Sequence, residues 1–214
     1  MKPSVQAIFD ELMTRYPILK SCSDEILTAY TLIESCYTSG GKVMICGNGG
    51  SAADSDHIVG ELMKGFLLRR PVDTEIRNEL TELFGEDGIY LADNLQGALP
   101  AINLTAQSAI QTAFANDVAP DMVFAQQVYG YAALGDVLIG LSTSGNSANV
   151  VNAAKIAKLK GAFVIAMTGA GGGKLRTLSD AVIAVPETET FKIQELHLPI
   201  YHALCAMIEA HFFG

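Results

Sequence analysis

Tryptophan is absent from this chain, charged residues make up only 17% of it, and no run of lysine and arginine is longer than the pair Arg69 and Arg70. With a formal net charge of -9, the chain lacks the basic footprint of a nucleic-acid binder. No segment approaches the roughly 18 apolar residues of a membrane span, and no basic amino terminus leads into an apolar stretch. A soluble cytoplasmic protein with neither nucleic acid nor membrane as partner is expected. The four cysteines, Cys22, Cys36, Cys46 and Cys205, are scattered without a CxxC pair, so they read as small buried hydrophobes in a reducing compartment.

What the chain does have is apolar bulk: 50% of its 214 residues are hydrophobic, enough for one compact domain with a large core. Residues 1–40 carry two helical patterns, Val5 to Tyr16 and a longer one through Ile26, Tyr30, Ile33 and Tyr37 that stops at "SGG". From Lys42 the pattern changes to short runs, "KVMIC", "PAINL", "DVLIGL", "AFVIAM" and "AVIAV", separated by helical periodicity. Runs apolar on both faces are what a parallel sheet between helices requires, so the spacing predicts an α/β fold with a five-stranded doubly wound sheet. Residues 67–98 interrupt this rhythm with a charged excursion. It should hold a small helix from about Asp73 to Phe84, capped by Asp73 or Thr74 and ended by Gly85. A lid, a subunit contact and a solvated excursion all fit such a segment.

Three strands leave into turns rich in glycine or hydroxyls: "GNGGSAA", "STSGNSANV" and "TGAGGGKL". In an open parallel sheet such exits are where helix N-termini present free N–H groups to an anion. "GAGGGKL" imitates a P-loop but places Leu175 where a magnesium-binding hydroxyl belongs, and GxGxxA at Gly47, Gly49 and Ala52 lacks the acidic residue of a dinucleotide site. Ser142, Thr143, Ser144 and Ser147 offer more hydroxyls than helix capping needs. A phosphate monoester, a sugar phosphate above all, is the economical ligand.

On the helix after the first exit, Asp54, His57, Glu61 and Lys64 form one polar stripe opposite Ala52, Val59 and Met63. The stripe is either a solvated face with an ion pair or a place where His57 and Glu61, at i and i+4, share a metal or enter a cleft. The last helix, "FKIQELHLPIYHALCAMIEAHFF", is apolar nearly all round yet contains Gln194, His197 and His202. His197 fits a satisfied core histidine, whereas His202 is a candidate general acid or base.

Taken together, "GNGGSAADSDHIVGE", Asn116 with Asp117, "STSGNSANVVNAAK", "GGKLRTLSD" and "IQELHLPIYHALCAMIE" resemble the sugar isomerase (SIS) fold and, within it, the phosphoheptose isomerase (GmhA-like) group. The likeness runs from the amino-terminal helices to the end of the chain, apart from residues 67–98. It implies a flavodoxin-like single SIS domain over 1–214, assembled as a homotetramer through the N-terminal helices, with active sites at subunit interfaces. The implied reaction converts sedoheptulose 7-phosphate to D-glycero-D-manno-heptose 7-phosphate through an enediol. By position, Asn48, Gly49, Gly50, Ser51, Asn116, Asp117, Ser142, Thr143, Ser144, Ser147, Gln194 and Glu61 would line the substrate. Glu61 would be the base and His202 the acid, and His57, Glu61, Gln194 and His202 match the group's zinc ligands. Gln194 and His202 lie eight residues apart, about 12 Å on a straight helix, so a bend at Pro199 or a second subunit would have to bring them to one ion. Phe191 stands where a polar aspartate is expected. The resemblance also admits a non-catalytic member, a DiaA-like replication initiator-associating factor or a sugar-phosphate sensor, and an isomerase of another phosphosugar. Glu61, which the non-catalytic members lose, favours an enzyme.

Overall fold

A computed structural model describes residues 1–214. Helices α1 (Pro3–Arg15) and α2 (Ser23–Thr38) lead into β1 (Val43–Cys46) and α3 (Gly50–Met63); α4 (Thr74–Phe84) and α5 (Glu86–Asn94) precede β2 (Ala101–Asn103). Then come α6 (Ser108–Asp117), α7 (Val123–Tyr131), β3 (Val137–Leu141), α8 (Ala148–Leu159), β4 (Phe163–Thr168), β5 (Ala181–Ala184) and α9 (Thr190–Phe213). The five strands pair in parallel in the order β2-β1-β3-β4-β5, the flavodoxin-like arrangement. Its reversal point lies between β1 and β3, whose register runs Val43↔Val137 to Cys46↔Gly140.

Alternate residues of each strand feed two separate cores. Val43, Ile45, Val137, Ile139, Leu141, Ile165 and Met167 pack with α1, α2 and α9, while Met44, Cys46, Leu138, Val164 and Ala166 pack with α7 and α8. That two-sided burial is why these strands contain no polar alternation. All four cysteines are free and buried, and burial pushes the Cys46 and Cys205 thiols up to about 12. They are packing groups, as the sequence suggested.

The structure corrects two sequence expectations. Residues 67–98 hold two helices rather than one: Gly85 ends α4, with Asp73 at its N-cap, but α5 follows at once and folds back on it. Gly88 makes the turn possible, since a Cβ there would lie 1.9 Å from the Leu80 carbonyl oxygen. On α3 the buried face is Ser51, Ser55, Ile58 and Leu62, whereas Met63 is exposed. The small hydroxyls go inward because Ser55 Oγ donates to the Ser51 carbonyl at 2.8 Å and needs no outside partner.

Two buried polar groups tie α9 to the rest. Glu209 is 1% exposed and accepts N–H bonds from Phe66, Leu67 and Leu68 at 2.7–3.0 Å and a 2.8 Å bond from Arg70 Nε. Burial works to raise its pKa, yet the backbone donors and Arg70 outweigh it and hold the carboxyl below its ordinary value. Arg70 also donates to the carbonyls of Leu62 and Glu61 at the end of α3, and its guanidinium lies 4.6 Å from the Phe213 ring centre. Arg70→Met strips a buried carboxylate of its partner and should cost about 3–5 kcal/mol, read as a lower denaturant midpoint.

His197 is fully buried, with Nε2 3.3 Å from the Thr168 carbonyl and Nδ1 unpartnered. Burial lowers its pKa from 6.5 to about 4. The unfolded chain therefore binds a proton that the folded chain refuses between those values. Stability from this residue is complete above about pH 6.5 and should fall by roughly 3 kcal/mol as the pH drops towards 4. Denaturant titrations across that range would read the slope, and His197→Asn should flatten it even if the plateau is lower.

Candidate functional site

The exits of β1 and β3 meet at the reversal point. Asn48 and Asn149 exchange amide bonds of 3.0 and 2.8 Å, joining the GNGG turn to the start of α8. In the serine loop Ser142 Oγ and Ser147 Oγ are 2.9 Å apart, and the Asn146 N–H bonds to Ser144 Oγ at 3.1 Å. Thr143 is half-buried and Ser144 exposed, so the loop offers both hydroxyls and backbone donors beyond the strand ends. Gln194, at the start of α9, packs on Gly50, where a Cβ would come within 2.7 Å of its Nε2. Ser51 is buried behind this turn, with its N–H on the Asn48 carbonyl.

The third turn supports the second. Leu175 is buried with its N–H on the Gly145 carbonyl at 3.1 Å, and Lys174 N–H bonds to Asn146 Oδ1 at 3.0 Å. The imitation of a P-loop in "GAGGGKL" is thus a buttress, not a nucleotide cradle. Gly145 has φ +66°, and a Cβ there would lie 2.0 Å from the Gly172 carbonyl oxygen. A side chain would separate the two turns.

The chemistry lies further along the seam between α3 and α9. These helices run side by side in the same direction: Gly50 meets Gln194 at one end, and His57 meets Tyr201 and His202 at the other. His57 Nε2 stands 3.3 Å from Glu61 Oε1 and 3.4 Å from His202 Nε2, so the expected base and acid both face one nitrogen. Glu61 is 12% exposed, and its other oxygen holds Lys64 Nζ at 3.2 Å. Burial, then the neighbouring His57, lowers the His202 pKa, with Glu61 acting the other way. Burial raises Asp54, and burial with Asp54 nearby raises Tyr201. His202 opens into a cleft of about 380 Å³ whose walls include Leu12, Tyr16, Phe66 and Leu198, within the size range of small-molecule sites.

His57 Nε2 thus has a carboxylate oxygen and a second imidazole nitrogen within 3.4 Å. Its separations from those two atoms, 3.3 and 3.4 Å, are close to the spacing of neighbouring ligands about 2.1 Å from a tetrahedral ion, about 3.4 Å. No group of three His, Cys, Asp or Glu side chains closes into a metal cage in this conformation. Gln194, eight residues from His202 on the unbroken helix α9, sits instead at the GNGG turn. Asn116 and Asp117 end α6 in exposed positions and bond to each other at 2.9 Å. From Ser51 to Glu61 is ten residues of α3, about 15 Å of helix, so the GNGG turn and Glu61 lie at opposite ends of that helix.

Sequence reading missed three contributors: Asn149, Tyr201 and the Arg70–Glu209 pair. Only Glu209, the one carboxylate in the apolar second half of the last helix, left a readable signal. Replacing Gly145 by Ala should push the serine and glycine turns apart at a cost of about 1–2 kcal/mol or more. Binding of a phosphate monoester, measured by calorimetry, should weaken at least tenfold while the far-ultraviolet spectrum of the sheet is retained.

Similarity to known proteins follows the same geometry. The SIS domain family model matches residues 10–83 and 79–169, two stretches that meet within α4. The phosphoheptose isomerase of Rhodospirillum rubrum is 42% identical over 171 residues, covering 80% of this chain and 77% of that protein. That of Nitratiruptor is also 42% identical over 171 residues, 80% of this chain and 78% of its own. Among solved structures, the phosphoheptose isomerase GmhA from Neisseria gonorrhoeae superposes with a TM-score of 0.73 at 34% identity, covering 96% and 97% of the two chains. The phosphoheptose isomerase from Francisella tularensis gives 0.75 at 29% identity and 96% coverage of both.

Proposed function

The chain belongs to the phosphoheptose isomerase family of SIS-domain proteins, and from that membership and the His57–Glu61–His202 cluster we propose that it interconverts the ketose and aldose forms of a phosphosugar, sedoheptulose 7-phosphate and D-glycero-D-manno-heptose 7-phosphate. One observation carries the chemistry: Glu61 Oε1 and His202 Nε2 both lie within 3.4 Å of the same nitrogen, and His202 lines an open cleft. Moving a carbonyl between C1 and C2 requires removal of a carbon-bound proton and its return to the neighbouring carbon. Glu61 takes that proton and gives it back. His202, an imidazole that burial disposes to be neutral, exchanges protons with the two oxygens of the enediol.

The phosphate is held by the hydroxyls of Ser142, Thr143, Ser144 and Ser147 and by the GNGG turn, with Gln194 beside Gly50. Because about 15 Å of α3 separates that turn from Glu61, a single sugar phosphate is best served by loops and catalytic groups from different protomers. We assign shared sites in a homotetramer, with the exposed Asn116 and Asp117 free to face a neighbour's substrate. Zinc is the cofactor we assign, held by His57, Glu61 and His202 of one protomer, with Gln194 as a fourth donor only if a neighbouring protomer supplies it. When bound it would polarise the substrate oxygens. No helix is long and apolar enough to cross a membrane, and the cytoplasm is the compartment we assign.

The test is an aldose–ketose assay over heptose, hexose and pentose phosphates. Glu61→Gln and His202→Ala should each lose about 10²–10⁴-fold in kcat, with assembly unchanged by light scattering. Conversion of no phosphosugar by the wild type, or full activity in Glu61→Gln, would overturn the proposal. The former result with tight binding of a replication initiator would identify a DiaA-like factor.

A further inference from the structure

The side of His57 away from Glu61 has its own partners. His57 Nδ1 is 3.1 Å from Tyr201 Oη, which is 3.2 Å from Asp54 Oδ1. The direction of these bonds follows from proton counting. An ionised carboxylate only accepts, so the single phenol proton goes to Asp54. The phenol oxygen then has only lone pairs to offer His57, so Nδ1 must carry hydrogen. In a neutral imidazole that leaves the lone pair on Nε2, the atom flanked by Glu61 Oε1 and His202 Nε2.

We propose that Asp54 and Tyr201 are positioning residues that fix His57 as its Nδ1–H tautomer and aim the Nε2 lone pair into the gap between Glu61 and His202. The packing makes the arrangement rigid. Tyr201 is 2% exposed among Ile58, Leu62 and Leu204, and its ring meets that of His57 edge-on at 5.5 Å and 72°. The His202 ring meets His57 at 4.8 Å and 83° and Tyr201 at 5.0 Å and 82°, so the three rings pack as one cluster. A lone pair on His57 Nε2 beside the Glu61 carboxylate is unfavourable unless His202 Nε2–H donates to it or a cation binds it, so the relay readies that nitrogen to take a cation in place of the His202 proton. Its consequence for metal affinity rests on the zinc assignment above; the tautomer itself does not.

Two measurements on the full-length protein test this. In metal-free protein with ¹⁵N-labelled histidine, at a pH well above the ordinary imidazole value of about 6.5, the two-bond ¹⁵N–¹H pattern of His57 should be that of an Nδ1–H ring. In Tyr201→Phe, which keeps the ring and the packing, it should shift towards Nε2–H. Competition with a chelator should show zinc affinity reduced about 10–100-fold in Tyr201→Phe and Asp54→Ala, with Asp54→Asn, which retains an acceptor, close to the wild type. Thermal unfolding of metal-free Tyr201→Phe should stay within a few degrees of the wild type, separating positioning from mere packing. An Nε2–H His57 in the wild type, or a His57 pattern and zinc affinity unmoved in Tyr201→Phe, overturns the proposal. If the wild type takes up no zinc while His57 is Nδ1–H and responds to Tyr201→Phe, the cofactor assignment fails and the relay is upheld.

Discussion

The site depends on the parallel contact between α3 and α9, two helices that lie 140 residues apart in sequence yet share one seam. Their relative height is set by Glu209, which gathers three backbone N–H groups of the segment leaving α3, and by Arg70, which grips the last carbonyls of α3 itself. A displacement by one residue along either helix would move a side chain by about 1.5 Å and turn it by about 100°. Neither the 3.4 Å contact between His57 and His202 nor the Gln194–Gly50 contact would survive it. A buried ion pair adds little net stability compared with apolar packing, but its directional bonds specify register, which apolar packing alone does not.

Most of the sheet was legible because strands covered on both faces have no solvent side to encode, and five such runs leave few alternatives. The serine loop was legible for a similar reason: four hydroxyls exceed what capping can use. The second helix of the 67–98 segment was not, because Gly85 was read as the end of helical structure there. Gly88 is the point where two helices approach backbone to backbone. The inward face of α3 was misread because charge was weighed as the marker of the outer face, while Ser51 and Ser55 satisfy themselves along the helix and count as small core residues.

The seam also resolves the spacing of Gln194 and His202. Their separation follows from their places at different ends of α3: Gln194 at the glycine-turn end and His202 at the end carrying His57 and Glu61. Pro199 does not break α9 between them. The relay from Asp54 through Tyr201 was invisible in sequence, since its two bonds span 147 and 144 residues and only folding brings the partners together. Phe191 is 56% exposed at the start of α9, three residues before Gln194.

The placement of the cysteines turns them into reporters of opening. Cys46 belongs to the core beneath α7 and α8, and Cys22, Cys36 and Cys205 to the core beneath α1, α2 and α9. None reacts with a small alkylating agent until its own layer parts from the sheet. The order in which the four sulfurs become labelled would therefore record which side of the molecule loosens first.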